Sequence, residues 1–382
     1  MTRPRVAIDV SAALGQGAGI ARYVQGLLRA LRGLAAPPEL IPYAAGAPAG
    51  DPPEWLAGLA LARIPHGTRA WRARSLISQL GGPGVARWPP PCDLVHATDL
   101  VSPRARVPVV VTLHDLSFLT RPELHTPLNG ANLRWIAPRA LAHAALVITD
   151  SEATARAAAE RLAVPKERLR PVHPGCDLER FRPARSADDA AIIARLGLRA
   201  PFVLFVGTRE PRKNLVTLIR AFEALAAARL PHRLVVAGAA GWKNEAAERA
   251  IASSPAAARV DRPGRIAEAD LPALYRAADV FCYPSLEEGF GLPPLEALAC
   301  GTPVVTSNVS SLPEVVGEAA LTVAPLDAPA LARALREAIE NRELRARLSR
   351  EGPLRASRFT WESTARATAA VYAEALSARA PR

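Results

Sequence analysis

The chain has 382 residues, of which 49% are hydrophobic and 22% are charged, a composition typical of a globular protein large enough for two domains with separate cores. Its net charge of +12 comes almost entirely from arginine and favours anionic partners, but no nucleic acid is expected, because the basic residues are dispersed and only 5% of the residues are aromatic. Four scattered cysteines without C-x-x-C spacing, and apolar runs that never approach 18 residues, argue against disulfides, a metal site and a membrane span, so we expect a cytoplasmic protein.

Apolar runs that predict strands alternate along the chain with helical patterns. In the first half, strands are predicted at 5–10, 93–96, 107–113 and 145–149, with a glycine-rich turn and a helix over 20–31 after the first of them. The second half repeats this theme with strands at 202–207, 233–238, 280–283 and 303–306. Strands that alternate with helices are typical of parallel sheets, so the predicted class is α/β.

A stretch between 171 and 201, rich in proline and glycine with a polar patch at 186–189, separates the two halves. The predicted domains are therefore a first domain over 1–180, a linker over 181–200, a second domain over 201–358, and a tail over 359–382 that contains an alanine-rich helix.

The segment 288–296, Glu-Gly-Phe-Gly-Leu-Pro-Pro-Leu-Glu, is the most informative in the chain. A predicted strand precedes it, and a helix that ends at Gly301 follows, which places Glu288 in a loop at a strand's carboxyl end and Glu296 within the helix. Two isolated glutamates are usually solvated surface residues. The glycine-aromatic-glycine insert indicates a special backbone, however, and amides at a helix N-terminus favour anions, so the pattern favours a nucleotide-sugar site.

This segment resembles the Glu-x7-Glu signature of the family 4 glycosyltransferases, retaining enzymes with the GT-B fold, and the likeness continues through 299–306 and 310–317. The resemblance implies two Rossmann-like domains with parallel sheets that face each other across a cleft, and a C-terminal helix that crosses back to the first domain. It also implies that Glu288 holds hydroxyls of the transferred sugar and that Glu296 holds the nucleotide ribose. Backbone groups of three further residues would surround the sugar and phosphate: Phe290, Gly291 and Leu292.

The segment 207–215, Gly-Thr-Arg-Glu-Pro-Arg-Lys-Asn-Leu, follows the first predicted strand of the second domain. A departing diphosphate needs its charge neutralised, and an arginine fork beside a lysine does this well, although such a pair can also be a solvated basic cluster. The Pro-Arg-Lys-Asn-Leu string is similar to a family pattern that binds phosphate, which implies that role for Arg212 and Lys213, with Gly207 and Arg209 beside the donor. The same likeness places Arg265 and Ile266 at the nucleotide base.

Two segments of the first domain are candidates for the same site. In 15–23 a glycine cluster precedes a helix; a simple tight turn explains it, but its end is similar to a family string in which Gly19 would contact the donor. A lone histidine is more often structural than functional, yet His114 ends a predicted strand, and in the family it contacts the donor sugar or the acceptor. Asp150, Ser151 and Glu152 also end a strand; a role in acceptor binding is one interpretation, and helix capping by Ser151 is the alternative, sufficient by itself to explain them.

A basic stretch at 69–77 contains one tryptophan and an apolar patch. It is a candidate for peripheral contact with an anionic membrane on its inner face or with a lipid-linked acceptor, and an ordinary amphipathic helix over the core is the alternative.

The predicted reaction is hexose transfer from a nucleotide sugar to a saccharide or lipid-linked acceptor. No Asp-x-Asp motif occurs, so neither a metal nor another cofactor is expected, and Arg212, Lys213, Glu288 and His114 are the predicted catalytic residues. The Glu-Pro-Arg-Lys-Asn-Leu string is similar to bacterial mannosyltransferases of polysaccharide or glycolipid assembly, which favours GDP-mannose. A UDP-sugar-dependent glucosyl or N-acetylhexosaminyl transferase, a nucleotide-sugar 2-epimerase and a non-catalytic GT-B binding scaffold remain alternatives, whereas only three lysines leave little room for a pyridoxal phosphorylase.

Overall fold

The computed structural model describes residues 3–14, 19–46, 50–83, 85 and 88–378. Contacts divide the chain into two compact units. The first contains residues 1–120, 127–175 and 361–382, and the second contains residues 121–126 and 176–360.

The first unit is built on a parallel sheet of seven strands in the order β3-β2-β1-β4-β5-β6-β7. The strands are β1 (Arg5–Asp9), β2 (Glu39–Ala45), β3 (Ala62–Ile64), β4 (Leu94–Ala97), β5 (Val109–Leu113), β6 (Leu146–Thr149) and β7 (Leu169–Pro171). The helices are α1 (Ser11–Leu14), α2 (Gly19–Arg32), α3 (Thr68–Gln79), α4 (Ser117–Thr120), α5 (Pro127–His143) and α6 (Glu152–Leu162). Every residue of β4, β5 and β6 is buried, because helices cover both faces of the sheet.

The second unit has a parallel sheet of six strands in the order β10-β9-β8-β11-β12-β13. The strands are β8 (Phe202–Val206), β9 (Arg233–Ala237), β10 (Val260–Gly264), β11 (Val280–Tyr283), β12 (Val304–Ser307) and β13 (Leu321–Val323). The helices are α7 (Asp189–Arg195), α8 (Leu215–Ala227), α9 (Glu245–Ser253), α10 (Leu271–Ala277), α11 (Leu292–Ala299), α12 (Leu312–Val316), α13 (Ala328–Glu340) and α14 (Arg342–Ala356). In each sheet the strand order reverses once, between β1 and β4 and between β8 and β11, and open α/β sheets bind ligands at such switch points.

The last helix, α15 (Trp361–Ser377), belongs to the first unit, as predicted. The Trp361 ring lies directly on Gly26 of α2, where an added Cβ would be 2.3 Å from the ring. Further along α15, the hydroxyl of Tyr372 lies 2.7 Å from Nδ1 of the buried His96. Ring packing and a buried hydrogen bond therefore hold the returning helix.

The boundary between the units differs from the predicted linker, because 181–200 is part of the second unit. Phe181 and Leu198 are buried in the second core, and Asp189 of α7 forms an ion pair with Arg276 of α10. The apolar residues within this proline-rich stretch explain why it packs rather than links.

Residues 121–126 join the second unit although their neighbours in sequence belong to the first. Nε1 of Trp242 donates to the carbonyl of Leu124 at 2.9 Å, and Nζ of Lys243 donates to the carbonyl of His125 at 2.6 Å. Among the helices in the described ranges, none has the length and apolar character needed to span a membrane.

Candidate functional site

A cluster of buried charges lies at the carboxyl edge of the second sheet. Arg212 and Lys213 follow β8 in a single 3-10 turn, and Glu288 follows β11. Because β8 and β11 are neighbours in the sheet, their carboxyl ends bring these side chains together. Nζ of Lys213 lies 2.6 Å from Oε1 of Glu288, and Nη1 of Arg212 lies 2.7 Å from Oε2. The structure thus unites three of the four predicted catalytic residues.

Hydrogen bonds from neighbouring residues fix each member of this cluster. Oγ of Ser285 donates to Oε1 of Glu288 at 2.5 Å, and Nζ of Lys213 also donates to the hydroxyl of Tyr283 at 2.6 Å. Arg212 makes a second ion pair, 2.9 Å long, with the buried Glu210. Both oxygens of Glu288 therefore already accept hydrogen bonds from protein groups, so a sugar hydroxyl would have to share or replace one of them.

Electrostatics keeps this cluster charged. Burial raises the pKa of Glu288, but the charges of Arg212 and Lys213 outweigh it and bring the pKa down to about 2. Burial lowers the pKa of Lys213, the nearby Arg212 lowers it further, and Glu288 opposes both. Burial, together with Glu288, holds the pKa of Tyr283 well above its usual value, so its hydroxyl stays neutral. Glu288 is consequently an ionised anchor for two cations.

The loop after Glu288 has the special backbone that its sequence predicts. Gly291 has φ +109°, and an added Cβ would lie 2.9 Å from Cδ2 of Leu312. The ring of Phe290 packs at 5.6 Å from that of Phe359, and its carbonyl oxygen accepts a 2.8 Å hydrogen bond from Oγ of Ser311. Pro293 and Pro294 have no amide hydrogen, so the first turn of α11 offers few donors beyond Leu292 at its start.

Glu296 lies inside α11 and is buried, at 4% exposure. Its Oε2 accepts a 2.9 Å hydrogen bond from the hydroxyl of Tyr275, which is itself fully buried. This bond fixes the direction of the carboxylate that is predicted to hold the ribose.

The other predicted donor-binding residues of the second unit lie at the same edge of the sheet. Gly207 follows β8 and faces Gly238, where an added Cβ would lie 2.0 Å from the Gly207 carbonyl oxygen, so only glycine fits at 238. Arg209 points elsewhere: its guanidinium binds Glu248 of α9 at 3.0 Å and the Gly238 carbonyl at 2.7 Å. Beyond β10, Arg265 is exposed while the side chain of Ile266 is buried.

His114 follows β5 in the first unit and forms a hydrogen-bonded pair with Asp150, which follows β6. Nδ1 lies 2.7 Å from Oδ2 of Asp150, and Nε2 lies 2.9 Å from the carbonyl oxygen of Thr98. Burial lowers the pKa of His114, but Asp150 and Asp99 raise it by more, to about 9, so both nitrogens are donors at neutral pH. Both ring nitrogens are thus committed to protein acceptors.

Asp150 is a candidate that the sequence analysis named but ranked below helix capping by its neighbour. It is 6% exposed, and its second oxygen, Oδ1, has no hydrogen-bond partner within the described part of the chain. Ser151 caps α6 by accepting from the Thr154 amide at 3.1 Å, as predicted. The available signal was that Asp150 ends a strand adjacent in the sheet to the one that ends at His114.

Asp150 and His114 belong to a row of polar groups along the carboxyl edge of the first sheet. Oγ1 of Thr98, after β4, donates to the carbonyl of Asp9 at 2.8 Å. Burial raises the pKa of Asp9 to about 6, against the hydrogen bonds from Ser11. Neighbouring strand ends β1, β4, β5 and β6 therefore share one continuous hydrogen-bonded row.

The histidine behind this row has a structural role. His96 is fully buried in β4, and its Nε2 lies 2.8 Å from Oγ1 of Thr112. Burial lowers the pKa of His96 to about 3, and the nearby His114 adds to this effect, so the ring is neutral.

Two further predictions concern glycines and metals. Gly19 is the first residue of α2, with no atom within 4 Å of an added Cβ, while the rest of the predicted glycine loop, 15–18, lies outside the described residues. Among the described residues, no group of three or more His, Cys, Asp or Glu side chains is arranged to hold a metal ion.

Two family models match the chain: "Glycosyltransferase Family 4" over residues 17–180 and "Glycosyl transferases group 1" over residues 190–355. The chain is 31% identical to the O-antigen chain mannosyltransferase B of Escherichia coli, over 73% of this chain and 74% of that protein. It is 34% identical to the D-inositol 3-phosphate glycosyltransferase of Saccharomonospora viridis, over 75% of this chain and 71% of that protein. Its fold is similar to that of Anabaena HepE, solved with UDP and glucose, with a TM-score of 0.77 and 21% identity over 97% of this chain and 100% of HepE. The chain therefore belongs to the family 4 glycosyltransferases, has the GT-B class of fold that the sequence predicts, and is an enzyme of the transferase class.

Proposed function

We propose that the protein is a retaining, metal-independent hexosyltransferase that moves mannose from GDP-mannose to a saccharide or lipid-linked acceptor. The observation that carries this proposal is the buried cluster of Glu288 with Arg212 and Lys213, held at the carboxyl edge of the second sheet by hydrogen bonds of 2.6 and 2.7 Å. Two fixed cations at this place suit a departing diphosphate.

In the proposed reaction the bond between the anomeric carbon and the diphosphate oxygen breaks, and Arg212 and Lys213 stabilise the charge that develops on that oxygen. The acceptor hydroxyl attacks from the same face, and its proton passes to the departing phosphate oxygen. Because the Glu288 carboxylate is ionised and fixed, it keeps both cations in place, so little reorganisation is needed during the reaction. A hydroxyl of the transferred sugar would share or replace one of the hydrogen bonds that the two Glu288 oxygens now accept from Lys213, Ser285 and Arg212.

The remaining donor contacts are assigned by position. Glu296 accepts the ribose hydroxyls, and its bond from Tyr275 supports this role by fixing the carboxylate. The phosphates, the sugar and the base are bound by backbone groups of six residues: Gly19, Gly207, Ile266, Phe290, Gly291 and Leu292. Arg265 is exposed and free to turn toward the base. Arg209 contributes mainly by shaping the loop, because its guanidinium is bound by Glu248.

On the first unit, Asp150 is the proposed contact for a substrate hydroxyl. Its buried Oδ1 is an open acceptor in the described part of the chain, whereas both nitrogens of His114 donate to protein groups. An unpaired buried carboxylate oxygen costs free energy that a hydroxyl donor would recover. His114 then acts by holding the Asp150 carboxylate in place and balancing its negative charge.

The choice of donor depends on the relatives. The name of the Escherichia coli relative supports mannose, and that of the Anabaena structure, solved with UDP and glucose, supports a UDP-hexose as the second candidate. A panel of GDP-mannose, UDP-glucose and UDP-N-acetylglucosamine, scored by thermal stabilisation and donor hydrolysis, tests this choice. We expect GDP-mannose to give the largest effect, and a preference for UDP-sugars would reject the mannose assignment.

Product analysis separates transfer from the rival activities. Proton NMR of the product is expected to show the same anomeric configuration as the donor. An epimerised nucleotide sugar formed without acceptor would indicate a 2-epimerase, and complete absence of donor turnover across the panel would indicate a binding scaffold.

We also propose a cytoplasmic location with peripheral contact to an anionic membrane through α3. Arg69, Arg72 and Arg74 of this helix are exposed, and Ile77 and Leu80 beside them are 48% and 57% exposed. Vesicles that contain a quarter phosphatidylglycerol should sediment the protein, and Arg72→Ser/Arg74→Ser should weaken this. Equal sedimentation by neutral vesicles, or none by either kind, would reject the contact.

A further inference from the structure

The second unit contains a cavity of about 500 Å³ at the amino edge of its sheet. Residues directly before β11 and β12 form its floor, and the first two turns of α14 form one wall. Its lining includes four arginines and three other polar residues: Arg185, Arg276, Arg342, Arg345, Asp279, Thr302 and Ser349.

This cavity is separate from the donor cluster. The strands are parallel, so β11 runs from Val280, beside the cavity, to Tyr283, which leads into Ser285 and Glu288 at the other edge. The two places share the sheet and α11 but no side chain.

The charges that line the cavity are unbalanced. Arg276 is held by Asp189 through hydrogen bonds of 2.7 and 2.5 Å. The side chains of three other arginines make no hydrogen bond or ion pair within the described ranges: Arg185, Arg342 and Arg345. Four guanidinium groups therefore face two carboxylates, one of which is already paired.

The second carboxylate, Asp279, is also engaged. Its Oδ2 accepts from the Phe202 amide at 3.2 Å and lies 3.8 Å from Nε2 of His232. Burial lowers the pKa of His232, and the charges of Arg259 and Arg345 lower it further. Asp279 raises this pKa but does not outweigh them. The His232 ring is therefore neutral and adds no positive charge of its own. The surplus positive charge thus comes from the arginines alone.

The backbone around the cavity adds to this surplus of positive charge. Arg342 and Arg345 stand on the first turn of α14, a 15-residue helix whose N-terminus carries partial positive charge. On the opposite side, the carbonyls that end α11 are already capped, because the amides of Gly301 and Thr302 donate to Leu298 and Ala297 at 2.9 and 3.0 Å.

We infer that this cavity binds a small phosphorylated anion. Guanidinium groups match phosphate oxygens in geometry and charge, and arginine is always protonated. A volume of about 500 Å³ falls within the range of small-molecule sites and accommodates a hexose phosphate or a diphosphate. The ligand would contact the C-terminal end of α11, the same helix that carries Glu296. This site is independent of the proposed reaction.

Isothermal titration of the full chain with sodium pyrophosphate tests the inference. We expect two equivalents to bind, one at Arg212 and Lys213 and one in the cavity, and Arg342→Ser/Arg345→Ser should remove one of them or weaken it at least tenfold. Arg350→Ser, an exposed change on the same helix outside the cavity, is the matched control and should retain both. When pyrophosphate is added to the wild type, the backbone amides of 300–303 and 342–349 should exchange their hydrogens more slowly.

Parallel titrations with glucose 6-phosphate and GDP distinguish a sugar phosphate from a nucleotide as the ligand of the cavity. Binding that Arg212→Ala/Lys213→Ala abolishes completely, while Arg342→Ser/Arg345→Ser leaves it unchanged, would overturn the cavity site. Equal weakening by Arg350→Ser would also overturn it, because it would indicate general attraction to a basic surface. The reverse pattern, with only the cavity variant affected, would keep this inference and reject the donor site.

Discussion

Lys213 donates a 2.6 Å hydrogen bond to Glu288, a residue 75 positions away along the chain. The two residues meet because they follow β8 and β11, which are neighbours in the sheet. The same carboxylate binds Arg212, so one buried anion fixes both cations that a donor diphosphate would meet. Glu288 therefore fixes the geometry of the proposed phosphate site in addition to its proposed contact with the sugar.

The first prediction is that Glu288→Gln abolishes most transfer and also weakens nucleoside diphosphate binding. The amide keeps the shape but not the charge, which leaves Lys213 and Arg212 less firmly held. Breaking a buried ion pair typically costs about 3–5 kcal/mol, so the free energy of unfolding should fall measurably in urea titrations. Glu318→Gln, an exposed glutamate of the same unit, is the control. Unchanged GDP affinity in Glu288→Gln would contradict the anchoring role.

Acid stability should carry the signature of the same residue. The pKa of Glu288 falls from 4.5 to about 2 on folding, so its contribution to stability is present above pH 4.5 and is lost as the pH drops toward 2. A shift of this size corresponds to roughly 3 kcal/mol. Chemical unfolding at pH 6, 4 and 3 should therefore show a smaller loss in Glu288→Gln than in the wild type. If the unfolding free energies of the two proteins fall in parallel with pH, Glu288 is not the residue whose pKa is depressed.

Much of the second sheet could be predicted from sequence. The runs 202–207, 233–238 and 280–283 match β8, β9 and β11 within one residue, because buried parallel strands are continuous apolar runs bounded by glycine or proline. The strands β10, with its sequence Val-Asp-Arg-Pro-Gly, and β7 were not predicted, since short polar or proline-containing edge strands lack such a signal.

The pairing of side chains was less predictable than the residues themselves. Sequence identified Glu288 and Lys213 separately, but their contact depends on β8 lying beside β11, an order that apolar runs do not specify. The pairing of Asp150 with His114 was not predicted for the same reason, because only the adjacency of β5 and β6 brings the two residues together. Phe181 shows the opposite error, in which prolines nearby indicated a linker where a core residue lies.

The return of α15 should depend on the absence of a side chain at Gly26. An added Cβ would lie 2.3 Å from the Trp361 ring, and a rigid ring cannot move aside cheaply. We expect Gly26→Ala to lower the stability by about 1–3 kcal/mol, the usual cost of overpacking. Trp361→Leu in the same chain should recover part of this, and a double-mutant cycle in urea measures the coupling. Additive effects of the two changes would contradict the contact.

The last prediction concerns His114, whose high pKa depends on Asp150. The pKa rises from 6.5 to about 9 on folding, so this pair adds stability that is complete below pH 6.5 and is lost as the pH rises through 9. The charges around the ring are Asp150 and Asp99, which raise its pKa, and burial alone would lower it. In Asp150→Asn we therefore expect the pKa of His114 to drop by more than one unit. Titration by NMR with labelled histidine measures this, with Glu152→Gln, on the following helix, as the matched control. Transfer should fall in Asp150→Asn mainly through a higher KM for the acceptor, while donor hydrolysis changes little. If the pKa of His114 stays near 9 in Asp150→Asn, the pairing is wrong, and if only donor hydrolysis falls, Asp150 serves the donor instead of the acceptor.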